Sequence, residues 1–151
     1  MFSIFIDGDA CPVKEETYDV AVRYGVPVTL VANRYIHVPD GARMGVKMVV
    51  VDRELDAADD WIAERVGPGD VVITADLPLA GRCLEAGARV LGTNGRQFEE
   101  ESIGELLATR SLKEHLRGAG MNTGGPPPLS DKSRSRFASK LDELVQKNHQ
   151  P

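Results

Sequence analysis

Five short apolar runs punctuate the first two thirds of the chain, at residues 2–6, 26–32, 46–51, 71–75 and 89–91. They are near-continuous rather than alternating, the pattern of parallel strands covered on both faces. Helical patterns lie between most of them. Pro12 suits a first helical turn with Cys11 as its cap, and that segment ends by Tyr24, before Gly25-Val26-Pro27. Residues 56–66 form the next helix, closed by Gly67-Pro68-Gly69, and 77–86 another, closed by Gly87. A longer helix is expected over 102–117, with Ile103, Leu106, Leu107 and Leu112 on one stripe. Residues 33–45 read as a loop. The alternation predicts an α/β fold, a three-layer sandwich around a central parallel sheet.

The C-terminal part reads differently. Residues 118–129 are rich in Gly and Pro and form a stiff linker. A last helix is expected over 130–147, where Phe137, Leu141, Leu144 and Val145 share a face able to dock on the body. The whole is one domain, with 1–117 as its core, as a length of 151 residues implies.

Three of the apolar runs lead directly into acid. Asp7 and Asp9 follow the first, Asp56 and Asp59 open the helix after the third, and Asp76 follows the fourth. In open parallel sheets, sites lie beyond the carboxyl ends of the strands where strand order reverses. If the first and fourth strands are neighbours, these carboxylates meet there. Asp56, Asp59 and Asp60 add three acids at helical spacing. Two like charges about 5 Å apart repel by roughly 3 kcal/mol at an effective dielectric near 20. Such a cluster needs protonation or a cation, and all-oxygen ligands point to Mg2+ or Mn2+. Each acid also has an ordinary alternative. Asp76 suits a helix cap before Leu77-Pro78, and Asp56 suits one with Asp59 as a partial capping box.

Charge is unevenly spread over the net −5. Residues 1–109 hold 10 Lys/Arg against 19 Asp/Glu, and residues 110–151 hold 8 against 4. The basic C-terminal part reads either as a solvated tail or as a grip on an anionic substrate. Arg134 stands first among the phosphate contacts, with Arg110, Lys113, Arg117, Lys132, Arg136 and Lys140 beside it. Asn33 could orient a water or ligand, and Thr74 could hydrogen-bond a phosphate. Thr123-Gly124-Gly125 could wrap one with backbone amides. Trp61 reads as a core anchor before a stacking platform. His37, His115 and His149 read as surface residues. Cys11 and Cys83 read as reduced thiols of a cytoplasmic protein, and the N-terminal run lacks the basic lead-in of a signal peptide. No apolar stretch approaches the ~20 residues that span a bilayer.

Several motifs stand together in order: Asp7-Gly8-Asp9-Ala10-Cys11-Pro12, Val31-Ala32-Asn33, Asp56-Ala57-Ala58-Asp59, Ile73-Thr74-Ala75-Asp76-Leu77-Pro78-Leu79-Ala80 and Thr123-Gly124-Gly125-Pro126. On these the chain resembles the bacterial YaiI/YqxD family over nearly its whole length. That family is similar in pattern to PIN-like nuclease domains, whose acids bind divalent metal at the carboxyl edge of a parallel sheet. The resemblance implies Asp7, Asp9, Asp59 and Asp76 as the acidic set, with Asp56 as a further ligand. Gly8 stands where the family commonly has Ala, a change that permits a tighter turn. Ser133 stands where an Asp usually precedes the Arg matching Arg134, which weakens a fixed ion pair there.

The leading expectation is a Mg2+- or Mn2+-dependent hydrolase, a nuclease or phosphodiesterase acting on RNA. A binding module for RNA or protein, with a metal-holding acidic pocket, is the alternative. A third reading, from D-x-D after a strand, is a haloacid-dehalogenase-like small-molecule phosphatase. No catalytic Lys follows the Thr74 motif, as that chemistry requires.

Overall fold

Within each central strand, successive side chains enter opposite layers. Ile4 and Ile6 pack with Val28, Leu30, Val71, Ile73 and Leu91 on one face, whereas Phe5, Val31, Val72 and Val90 pack on the other. The computed structural model describes residues 2–41, 45–54, 56–99 and 130–149. Its strands are β1 (Ile4–Asp7), β2 (Val28–Ala32), β3 (Val46–Val50), β4 (Val71–Ile73), β5 (Arg89–Leu91) and β6 (Gln97–Phe98). Its helices are α1 (Lys14–Tyr24), α2 (Ala57–Arg65), α3 (Leu77–Glu85) and α4 (Asp131–His149), with a 3-10 turn at Gly8–Ala10. Helices α1 and α4 cover the first face and α2 and α3 the second, giving the three-layer α/β sandwich.

The sheet runs β3-β2-β1-β4-β5-β6. Strands β1 to β5 are parallel, with Asp7 opposite Val31 and Ile6 opposite Ile73. The expected parallel sheet is found in these five strands, and a further strand, β6, pairs antiparallel to β5 at one edge. A two-residue strand leaves too short a pattern to read. From β1 the chain steps outward through β2 to β3, then returns to the other side of β1 for β4. The order therefore reverses between β1 and β4. At the opposite end, Asp70 locks these two strands by accepting from Ser3 N at 2.9 Å and Gly67 N at 2.9 Å.

Helix α1 starts later than expected. Cys11 precedes a proline and is extended (φ −104°, ψ 111°), which keeps it out of a helical cap. Val13 takes the cap position, and Gly25 closes the helix in the left-handed conformation. Helix α4 is part of the sandwich. Phe137, Leu141, Leu144 and Val145 are buried in the first layer. Arg23 pairs with Asp142, and Tyr24 Oη donates to Asp142 Oδ1 at 2.8 Å. At the other face of α4, a Cβ on Gly95 (φ +88°) would stand 3.0 Å from Phe137 N. Asn148 Nδ2 donates to Gly69 O at 2.9 Å. The expected 102–117 helix and the 118–129 linker lie outside the described residues. No described helix is long and apolar enough to cross a membrane. Cys11 and Cys83 are free and buried.

Candidate functional site

The reversal between β1 and β4 opens a cleft of about 280 Å³, lined by Asp7, Asp9, Asn33, Asp56, Asp59 and Asp76 among others. Each acid arrives on its own element. Asp7 is the last residue of β1 and Asp9 sits in the 3-10 turn that follows. Asp76 heads α3 just beyond β4, and Asp59 lies in the first turn of α2.

A hydroxyl organises the centre. Thr74 is 1% exposed, and its Oγ1 donates to Asp7 Oδ2 at 2.9 Å while accepting from Asp76 N at 3.0 Å. A threonine has one O–H to give. Thr74 therefore positions Asp7. Asp76 caps α3 through Leu79 N to Oδ1 at 2.9 Å and also faces the other acids, so cap and site residue are one. Asp9 is held by Asn33 N at 3.0 and 3.1 Å to its two oxygens. The Asn33 contact is made by backbone, and its exposed side chain lies at the rim.

Electrostatics couples three of these groups. Burial raises the Asp7 carboxyl above its ordinary range; the Thr74 hydrogen bond opposes that, and the Asp76 and Asp9 charges add to it. Burial, then the charges of Asp76, Asp7 and Asp56, push Asp59 up to about 6. A hydrogen bond with Asp56 contributes in the same direction. Asp56 adopts φ +66°, rare for a residue with a Cβ, and its side chain makes no cap bond. The expected capping box is thus absent, and Asp56 turns to Asp59 instead. Asp60 leaves the group altogether, pairing with Arg82 on α3 at 2.7 Å. The three-acid face expected on α2 is divided by that pair.

Among the described residues, no group of three acid, histidine or cysteine side chains is arranged to hold a metal ion as it stands. Asp7 and Asp76 each have one oxygen engaged in the hydrogen bonds above, and the second oxygen of each makes no further one among the described residues. Asp52, Arg53 and Glu54 also line the cleft. The sequence reading does not single them out, although they follow the carboxyl end of β3 as Asp9 follows that of β1.

Arg134 is elsewhere. Its Nη1 donates to Pro12 O at 2.6 Å and Glu16 Oε1 at 3.3 Å, fastening α4 to the start of α1. The pair with Glu16 supplies an ion pair where Ser133 weakens the expectation of one. Lys140 and Lys147 pair with Glu143 within α4. Thr123, Gly124 and Gly125 lie outside the described residues. Trp61 packs against the second layer with its ring 6.4 Å from Phe5, and Arg65 stands 4.1 Å over it. That leaves it an anchor rather than a base platform. Cys11 is raised by burial first, and the Asp7 and Glu16 charges add to this, against a thiolate role.

Known proteins extend this picture. The chain is 52% identical over 144 residues to a UPF0178 protein of Rhodopseudomonas palustris (strain TIE-1), covering 95% of this chain and 90% of the relative. A UPF0178 protein of Caulobacter vibrioides is 52% identical over 145 residues, covering 96% and 94%. One from Bradyrhizobium diazoefficiens is 50% identical over 144 residues, covering 95% and 85%. Residues 5–147 match the family described as "Uncharacterized BCR, YaiI/YqxD family". With that span and those identities, the chain belongs to the YaiI/YqxD family.

Proposed function

We propose that this chain is a divalent-cation-dependent phosphodiesterase acting on RNA, with Asp7, Asp59 and Asp76 at its centre and Asp9 and Asp56 at the rim. One observation carries the reading. The switch point gathers acids from separate chain segments, and burial together with mutual repulsion raises Asp7 and Asp59. A cation relieves that repulsion more completely than any hydrogen bond in the cleft.

Mg2+ or Mn2+ fits the donors, which are all oxygen and anionic. Mg2+ keeps most of its water and takes one or two carboxylates. That suits a cleft where Asp7 and Asp76 each offer one uncommitted oxygen and no three described side chains surround a point. When bound, such an ion supplies activation of water and neutralisation of phosphate charge. The chain's own residues do the rest. Thr74 holds the Asp7 rotamer, Asn33 N holds Asp9, and Asp59 accepts a proton from the attacking water.

The test pairs calorimetric titration with Mn2+ and cleavage of labelled single-stranded RNA, on the parent chain and Asp7→Asn. Saturable Mn2+ binding and cleavage, both lost in Asp7→Asn, are expected. No binding and no Asp7-dependent turnover would remove the reading.

A further inference from the structure

Tyr35 is 66% exposed, and every other aromatic side chain of the chain is buried or half-buried. The segment that carries it is anchored. Ile36 packs against the first layer and Val38 is buried, so the residues beyond the ring are held while the ring itself meets solvent. Among the described residues Tyr35 makes no hydrogen bond or ring contact. Its place in the fold is defined by the sheet. Val51 N donates to Ala32 O at 2.9 Å, so β2 and β3 end side by side and residues 33–35 and 52–54 emerge together. Asn33 and Arg53 both line the acidic cleft. Two residues of chain span at most about 7 Å, so the Tyr35 backbone stands at the cleft's rim.

We infer that this corner binds single-stranded RNA, with one unpaired base stacked on Tyr35 and an adjoining phosphate on Arg53. The inference rests on the RNA reading above and names the form of RNA that the cleft takes. Arg53 is the one cationic side chain lining the cleft among the described residues. Arg23, Arg65, Arg82 and Arg134 each pair with a carboxylate. Arg53 pairs with none, although the same cleft holds Asp7, Asp9, Asp59 and Asp76. An exposed ion pair there would be worth little, so the guanidinium is available to a phosphate, which it can grip with two parallel N–H donors. Arg34, next to Tyr35, is exposed and likewise unpaired among the described residues, so cations flank the ring on both neighbouring segments. An aromatic face between arginines is the arrangement that holds a base and the phosphates beside it. A duplex hides the faces of its bases in the stack, whereas a single strand can lay one on Tyr35.

The test is the fluorescence anisotropy of a short fluorescein-labelled RNA titrated with the full chain, in EDTA so that binding is read without turnover. The strand is offered alone and annealed to its complement, over a range of salt. The parent is expected to bind the single strand saturably and more tightly than the duplex. Tyr35→Ala should weaken binding by about fivefold or more and leave the salt dependence as it was. Tyr35→Phe keeps the ring and should bind as the parent does. Arg53→Gln should weaken binding and lower the slope of log affinity against log salt by about 0.7, the share of one phosphate contact. Both side chains are exposed, so neither change touches the core. No saturable binding by the parent, equal or tighter binding of the duplex, undiminished affinity in Tyr35→Ala, or an unchanged slope in Arg53→Gln overturns the inference. Binding with all the expected properties but no cation-dependent cleavage would instead sink the phosphodiesterase and leave this surface standing. Cleavage whose KM is unmoved by Tyr35→Ala would do the reverse.

Discussion

Asp7 at the end of β1 and Thr74 just beyond β4 are joined by a 2.9 Å hydrogen bond, from the threonine hydroxyl to the carboxylate. The same oxygen accepts from Asp76 N, so one buried side chain connects two acids that repel each other. Thr74→Val keeps the shape and removes both bonds. The expected loss is about 1–3 kcal/mol, the cost of leaving buried polar groups unpaired. Urea denaturation measures it, and Thr74→Ser should retain most of the stability. An unchanged midpoint in Thr74→Val would mean that solvent already satisfies both groups.

Asp59 gives the fold a pH dependence of definite sign. Its folded value is raised from 3.8 to about 6, so between those pH values the folded state binds the proton more tightly than the unfolded chain. Its contribution is complete below the lower value and is lost as pH rises through the upper one. Asp7 is raised too and acts in the same direction. Asp59→Asn should therefore stabilise the ligand-free chain at pH 8, by about 1 kcal/mol given solvent screening at a half-exposed group. The gain over the parent should vanish near pH 4. Thermal melts of both proteins across pH 4–8 check this, and a gain that grows toward low pH would refute it.

Gly8 is closely packed against β2. It is not among the glycines with positive φ, so no tight left-handed turn explains it. A Cβ there would stand 2.6 Å from Leu30 Cδ1 and 3.1 Å from Val31 O. Gly8→Ala should cost about 1–3 kcal/mol by overpacking. Leu30→Val removes the Cδ1 atom, so the double variant should be more stable than the two single costs add up to. A double-mutant cycle gives the coupling directly.

Phe137 is the largest fully buried side chain of α4 and packs in the same layer as Ile4 and Ile73. Phe137→Ala should cost about 3–5 kcal/mol, as for other large core truncations. Chemical denaturation of the full chain measures it. A cost under about 1 kcal/mol would show the last helix to be an accessory rather than part of the core.

Much of this architecture was legible because apolar runs and acids alternate so regularly. All five long strands were found, and the carboxyl-end rule placed Asp7, Asp9, Asp59 and Asp76 beside one cleft once β1 and β4 proved adjacent. What stayed hidden depends on packing between elements. Asp60 looks like Asp59 in sequence, yet the docking of α2 against α3 hands it to Arg82. Arg134 looks like a loose phosphate contact until α4 settles on α1 and brings Glu16 and Pro12 O to it. Thr74 reads as an ordinary strand threonine, because only the β1–β4 pairing sets Asp7 next to it. Asp52 and Glu54 obey the same carboxyl-end rule, but they lie in the turn between β3 and α2, where acids are ordinary and carry no signal of a site.

The docking of α4 ties together parts of the chain far apart in sequence. Central strands β1 and β4 gain their cover on one side from Phe137, Leu141, Leu144 and Val145, the latest described part of the polypeptide to leave the ribosome. Contacts this distant along the chain close slowly. Cover for β1 on this side therefore depends on a pairing between distant parts of the chain, slower to close than its own pairing with the neighbouring β2.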